Sequence, residues 1–109
     1  MNDLISIDEF RRIELRIGLV KSAEKVTGSE RLIKLTIDLG ELGERQVIAG
    51  LAKWYEPSYF VGKYVVVVVN LKPRRLMGME SQGMILATDT DPPVLVTAEK
   101  PVKPGSRLI

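Results

Sequence analysis

Lys72, Arg74 and Arg75 put three cations within four residues, and Pro73 stiffens the segment that presents them. Ammonium and guanidinium groups at that spacing neutralise phosphates, and Arg adds a planar face and a forked donor set. A solvated basic loop would carry the same charges, so the cluster alone leaves both readings open. Farther along, Ser81 and Gln82 offer hydrogen bonds to backbone or bases, while Met77, Met79 and Met84 supply core filling or an adaptable apolar surface.

What is missing narrows the chemistry. The 109 residues include no Cys and no His, which removes disulfides, thiolate nucleophiles and cysteine-based zinc sites. General acid or base work near neutral pH then falls to a perturbed Asp, Glu, Lys or Tyr, and nucleophilic triads lose their usual base. Gly40-Glu41-Leu42-Gly43 reads as a hairpin turn, and Gly78 to Gly83 precedes no helical pattern, so neither is a phosphate-cradling glycine loop. The expectation is a binding protein with no catalytic residues, no cofactor and no metal. A formal charge of +2 is too small to argue nucleic-acid binding by itself, which leaves the matter to local patches.

These residues need a frame to hold them. With 45% hydrophobic and 28% charged residues, the composition is that of a globular protein, and the length suits one domain over residues 1–109. The longest apolar run, Val65 to Val69, is far too short to span a bilayer, and Met1-Asn2-Asp3 begins no secretory leader, so a cytoplasmic protein without membrane contact is expected. Ser6-Ile7-Asp8-Glu9 reads as a capping box ahead of a short helix from Ile7 to about Arg12. Ile13, Leu15, Ile17 and Leu19 then alternate with Glu14, Arg16, Gly18 and Val20, marking a strand with one buried face and a bulge or bend at Gly18. Ile33, Leu35, Ile37 and Leu39 repeat the alternation, the turn at Gly40–Glu44 follows, and Arg45 to Ala49 returns as a third strand.

Trp54, Tyr55, Tyr59 and Phe60 crowd an inserted segment with a helical turn near Pro57, where Trp54, Tyr55 and Tyr59 read as barrel caps rather than base-stacking platforms. Tyr64 to Val69 is β-branched without alternation, as expected of a central strand covered on both sides. Asn70 to Arg75 forms a basic loop, and Ser81 to Thr88 gives a fifth strand through Met84-Ile85-Leu86-Ala87. Five strands with a helical insertion between the third and fourth is the order of an all-β OB-fold barrel, its core about residues 13–88. The extension of about 89–109 holds a short strand at Val94 to Thr97. With apolar segments left over at both termini, it predicts a homodimer joined through the N- and C-terminal extensions.

Lys72-Pro73, followed by Leu76-Met77-Gly78-Met79-Glu80-Ser81-Gln82-Gly83-Met84-Ile85-Leu86-Ala87, closely resembles the signature of the tRNA-binding OB family. The likeness continues in Leu15 to Gly18, Glu30-Arg31-Leu32, Gln46 to Lys53 and Gly62-Lys63, so it covers essentially the whole chain. That family includes C-terminal domains of methionyl-tRNA synthetases, small free-standing dimeric tRNA-binding proteins, synthetase-associated cofactors and an export-related chaperone. The resemblance implies a dimeric five-stranded barrel that binds tRNA by shape, with contacts at Arg31, Lys53, Lys72, Ser81 and Met84. Arg74 and Arg75 join that set through the charge argument above. Where many members carry a His-Pro pair, this chain has Val26-Thr27. The expected role is an accessory tRNA-binding β chain partnering a methionyl-tRNA synthetase catalytic chain. A free tRNA-binding protein serving several synthetases and a peptide-binding chaperone are the alternatives.

Overall fold

The computed structural model describes residues 3–109; the leader expectation drawn from Met1 and Asn2 lies outside the described residues. Ser6 caps helix α1 (Ile7–Phe10) as its spacing predicts: its hydroxyl accepts from the Glu9 N–H at 3.1 Å, and the Glu9 carboxylate accepts from the Ser6 N–H at 3.2 Å. The helix ends short of the expected Arg12. Strands β1 (Leu15–Lys25), β2 (Ile33–Asp38) and β3 (Glu44–Ala49) form the expected antiparallel meander. A one-turn 3-10 helix at Gly40–Leu42 joins the last two. A second 3-10 turn, Pro57–Tyr59, leads into β4 (Tyr64–Val68), which pairs with β1.

The basic stretch departs from expectation. Instead of an irregular loop it enters a hairpin of β5 (Arg74–Leu76) and β6 (Met79–Ser81), turned by Met77 and Gly78 with φ of 52° and 78°. Two successive positive φ values are the mark of a type I′ turn, whose twist matches that of a two-stranded ribbon. Strand β7 (Met84–Ile85) follows and pairs with β4, shorter than the Ser81 to Thr88 strand expected. The sheet order β3-β2-β1-β4-β7 is a strongly curled OB-type barrel with β3 and β7 as its edges.

Phe60, Ile33, Leu35, Ile37, Leu39, Val20, Val47, Val65 and Val67 fill the interior, each less than 2% exposed. Val66 and Val68, on the other face of β4, are buried too, as the unbroken apolar run predicts. Strand β1 corrects the sequence reading. Its inward positions are Gly18 and Val20, and the alternating residues take the outer face, with Ile13 and Leu15 at the groove and Ile17 buried on the edge that the tail covers. A Cβ at Gly18 would stand 2.3 Å from Ile37 Cγ2 and 3.3 Å from Val67 Cγ2, so the glycine lets the strands close upon one another. The bulge expected at Gly18 falls between Val20 and Ser22.

Because β1 bends, its first half (Leu15 to Leu19) pairs with β4 and its second half (Leu19 to Lys25) with β2. One edge of the first half is therefore left open, and the C-terminal tail fills it. Gly105 N–H donates to Ile17 O at 2.7 Å, Ile17 N–H to Ser106 O at 2.8 Å, and Leu108 N–H to Leu15 O at 2.9 Å. Arg16 fixes the tail from the side, donating to Gly105 O at 2.8 Å while paired with Glu14. The strand expected at Val94 to Thr97 reduces to one bridge, Ala87 with Leu95, flanked by Thr88 N–H to Val94 O and Val96 N–H to Leu86 O. The tail's apolar residues thus cover their own barrel in part. Ile7, Phe10, Ile13, Leu15, Leu108 and Ile109, with Arg11 and Arg107, remain around an open groove of about 480 Å³. Among the described residues no helix is long and apolar enough to cross a membrane.

Candidate nucleic-acid interface

The barrel closes where edge strand β3 meets β6 and the residue after it, and side-chain amides and a hydroxyl make the closure. Gln82 N–H donates to Gln46 O at 2.8 Å, Gln46 N–H donates to Gln82 Oε1 at 3.1 Å, and Gln46 Nε2 donates to Glu80 O at 2.9 Å. Two residues on, Ile48 N–H donates to Ser81 Oγ at 2.9 Å, and that hydroxyl donates in turn to Gly83 O at 3.2 Å. Ser81 is 5% exposed, with its hydrogen-bonding capacity used inside the chain. It is the pin that holds the β5–β6 hairpin against β3. Past the pin, Ile48–Leu51 and Met84–Ala87 are separated by a half-open cleft of about 180 Å³, with Met84, 48% exposed, at its mouth.

Strand geometry divides the basic cluster. In the β5–β6 ribbon Arg74 stands opposite Ser81 and Arg75 opposite Glu80, so the two adjacent arginines emerge on opposite faces. Arg75 is further occupied by a bond from Nη2 to Gly78 O at 2.9 Å. Arg31 and Lys53, distant in sequence, are brought together by Ala52 N–H donating to Arg31 O at 3.1 Å, beside the Leu51 end of the cleft. Lys53 Nζ lies 5.2 Å from the centre of the Trp54 ring. Arg31, Lys53, Lys72, Arg74 and Arg75 are all exposed, and none is in an ion pair among the described residues. Their charge is available to an external anion.

The aromatic residues serve the barrel. Phe60 is buried, Tyr55 stacks on Tyr59 with centroids 4.2 Å apart, and the Tyr55 hydroxyl donates to Pro93 O at 2.5 Å. Desolvation, reinforced by the adjoining Tyr59, pushes the Tyr55 phenol above its usual pKa and keeps it a donor. Trp54 Nε1 donates to Asp91 Oδ1 at 2.8 Å, so these rings clasp the start of the tail. Val26 and Thr27 line a shallow cavity with Met77 and Met79 at the hairpin tip. No group of three or more carboxylates converges as a metal site among the described residues. A cationic, shallow surface around a pinned seam is suited to binding an anionic polymer.

A family model described as "Putative tRNA binding domain" matches residues 15–107. The chain belongs to this tRNA-binding domain family. Among relatives of the domain, methionine–tRNA ligase of Methanocella arvoryzae is 50% identical over 104 residues, covering 95% of this chain and 15% of the ligase. The corresponding enzyme of Thermotoga maritima is 49% identical over 105 residues, covering 95% of the chain and 16% of the ligase. The tRNA-binding domain described here thus spans about one sixth of those relatives. In the crystal structure of a MetRS-related protein from Pyrococcus horikoshii the likeness extends over 98% of this chain and 99% of that one, with a TM-score of 0.92 and 38% identity. The chaperone CsaA of Bacillus anthracis matches with a TM-score of 0.90 and 31% identity, over 98% of this domain and all of that protein.

Sequence reasoning about the tRNA-binding domain named Ser81 and Met84 without seeing what joins them. Ser81 closes the seam, and Met84 overhangs the cleft that opens beyond it. Gly50 and Ile48 on the facing wall were missed as members of a site, although the Gln46 to Lys53 motif runs through both.

Proposed function

We propose that this chain is a non-catalytic tRNA-binding subunit, a β chain, serving a methionyl-tRNA synthetase in the cytoplasm. The observation that carries the reading is the set of unpaired, exposed cations (Arg31, Lys53, Lys72, Arg74 and Arg75) around the pinned seam of a tRNA-binding domain. Phosphate contacts of this kind bind RNA by backbone and shape, with Met84 adding apolar contact and Ser81 holding the hairpin that presents Arg74. We further propose a homodimer, with residues 89–109 and the N-terminal helix supplying its interface. The exposed apolar residues Ile7, Phe10, Ile13 and Ile109 support it, since a second copy of the same face would bury them.

A tethered second binding module raises the local concentration of tRNA at the synthetase, and ground-state binding lowers KM more than it raises kcat. Added to a methionyl catalytic chain at limiting tRNA, the protein is expected to speed tRNA charging and to leave tRNA-independent methionine activation unchanged. Equal stimulation of both reactions, or of neither, removes the accessory-chain reading. A free tRNA-binding protein serving several synthetases would then be the better account, and co-purification with a synthetase separates the two. The likeness to the chaperone CsaA favours a second reading, a peptide-binding chaperone. It requires binding to unfolded polypeptide and indifference to bulk tRNA, which a gel shift distinguishes.

A further inference from the structure

The cleft beyond the Ser81 pin has features that phosphate binding leaves unexplained. Its walls are apolar, with Ile48 and Leu51 on one side and Met84 and Ala87 on the other. Gly50 belongs to the lining and is exposed, and a Cβ there would meet nothing within 4 Å, so this stretch of the wall carries no side chain and has room for one. The N–H groups of Gly50 and Leu51 have no hydrogen-bond acceptor among the described residues. Cations bracket the cleft: Arg74, the cross-strand partner of Ser81, at the pinned end, and Arg31 with Lys53 at the other.

Positive charge at both ends of an apolar slot suits a chain that carries negative charge on either side of a flat, apolar-faced unit. An extended peptide would use the open strand edges but would leave the bracketing cations without a role. Building on the tRNA-binding reading, we infer that the cleft takes one unstacked nucleobase of the RNA, with the phosphates before and after it meeting Arg74 and the Arg31–Lys53 pair. The base faces lie against Met84 and Ile48, since the aromatic rings of this barrel are engaged in clasping its tail. The Gly50 and Leu51 N–H groups supply donors to the base edge, the way single-stranded bases are read once out of their stack. At about 180 Å³ the cleft holds a single base.

The test compares the full chain with Gly50→Leu, which fills the slot, and Met84→Ala, which removes a wall that is already exposed. Thermal unfolding of each checks that the barrel is intact. Binding of bulk tRNA is titrated at several salt concentrations, and base reactivity toward dimethyl sulfate is mapped with and without protein. One unpaired base is expected to lose reactivity on binding the wild-type chain and to regain it with Gly50→Leu. Affinity should fall about tenfold in both variants, as loss of one stacked base implies, with the salt slope unchanged because the phosphate contacts remain. Wild-type affinity and an unchanged footprint in Gly50→Leu overturn the base pocket while leaving the tRNA reading standing. Failure of the wild-type chain to bind tRNA overturns both. Intact tRNA binding in Gly50→Leu together with lost capture of an unfolded polypeptide assigns the cleft to peptide instead.

Discussion

Two surfaces of this barrel are built from opposite materials. Around the seam of β3 and β6 lie cations without ion-pair partners, hydrogen-bonding side chains turned inward as fasteners, and one narrow apolar slot. Around the start of β1 lie the exposed apolar residues Phe10, Ile13 and Ile109 about a wide groove, rimmed by Arg11 and Arg107. The first surface gains from meeting a strongly charged, hydrated partner; the second gains from leaving water altogether. The two are neighbours on the sheet, since Leu15 of the groove and Met84 of the cleft flank the same residue, Val68 of β4. What sets them apart is the kind of partner each suits.

That separation is open to being broken. The largest effect is expected from Phe10→Asp combined with Ile13→Asp, which places two charges in the groove. If a second copy covers it, sedimentation should shift from twice the chain mass to the chain mass, with self-association weakened by about a hundredfold or more. tRNA binding per barrel should persist, and an unshifted dimer would remove this face as the interface. Next, replacing both Arg74 and Arg75 by Ala should weaken binding to all tRNAs alike. With about three phosphates neutralised per site, raising salt from roughly 50 to 200 mM should weaken wild-type binding by about ten- to a hundredfold, and the double variant should show a flatter slope. Because the two arginines face opposite ways, the single variant Arg74→Ala should flatten the slope more than Arg75→Ala; equal slopes would place the RNA across both faces of the hairpin.

Gly105→Val tests the link between tail and groove. A Cβ there would stand 2.3 Å from Leu39 O, so the tail must lift, at a cost of about 1–3 kcal/mol in chemical denaturation. Self-association should fall with it, since Leu108 and Ile109 ride on this tail, and tRNA affinity should hold. The smallest effect is Met77→Gly, which relieves a non-glycine residue at φ 52° and should stabilise the chain by no more than about 1 kcal/mol. Neither surface should notice.

Much of this frame is legible along the sequence. The capping box at Ser6, the clean alternation of β2 and the unbroken valine run of β4 each carry a local period, and each appears where its period puts it. Strand β1 misleads because both of its faces are apolar over part of its length. One packs into the barrel and the other faces the tail and the groove, so alternation alone assigns the inside wrongly. The hairpin from Arg74 to Ser81 is obscured because Met77-Gly78 lacks the Asn or Asp that usually announces a type I′ turn. The site divides in the same way. Exposed cations are visible as residue types, whereas the seam depends on Gln46, Ile48 and Ser81 meeting over more than thirty positions, and no spacing rule reaches that far.

The edge that residues 105–108 occupy belongs to the first strand of the barrel, and the Arg16 contact to Gly105 spans 89 positions. During synthesis β1 therefore leaves the ribosome long before the segment that covers it. Throughout that interval a row of unpaired backbone groups beside apolar side chains is open to strands of other nascent chains. The sheet itself can form first, since β1 finds β2 early and β4 later, but its final hydrogen bonds wait for the tail. Loss of residues 105–108 would thus leave a barrel with one open edge beside apolar side chains, so these few residues guard the sheet against pairing with other chains.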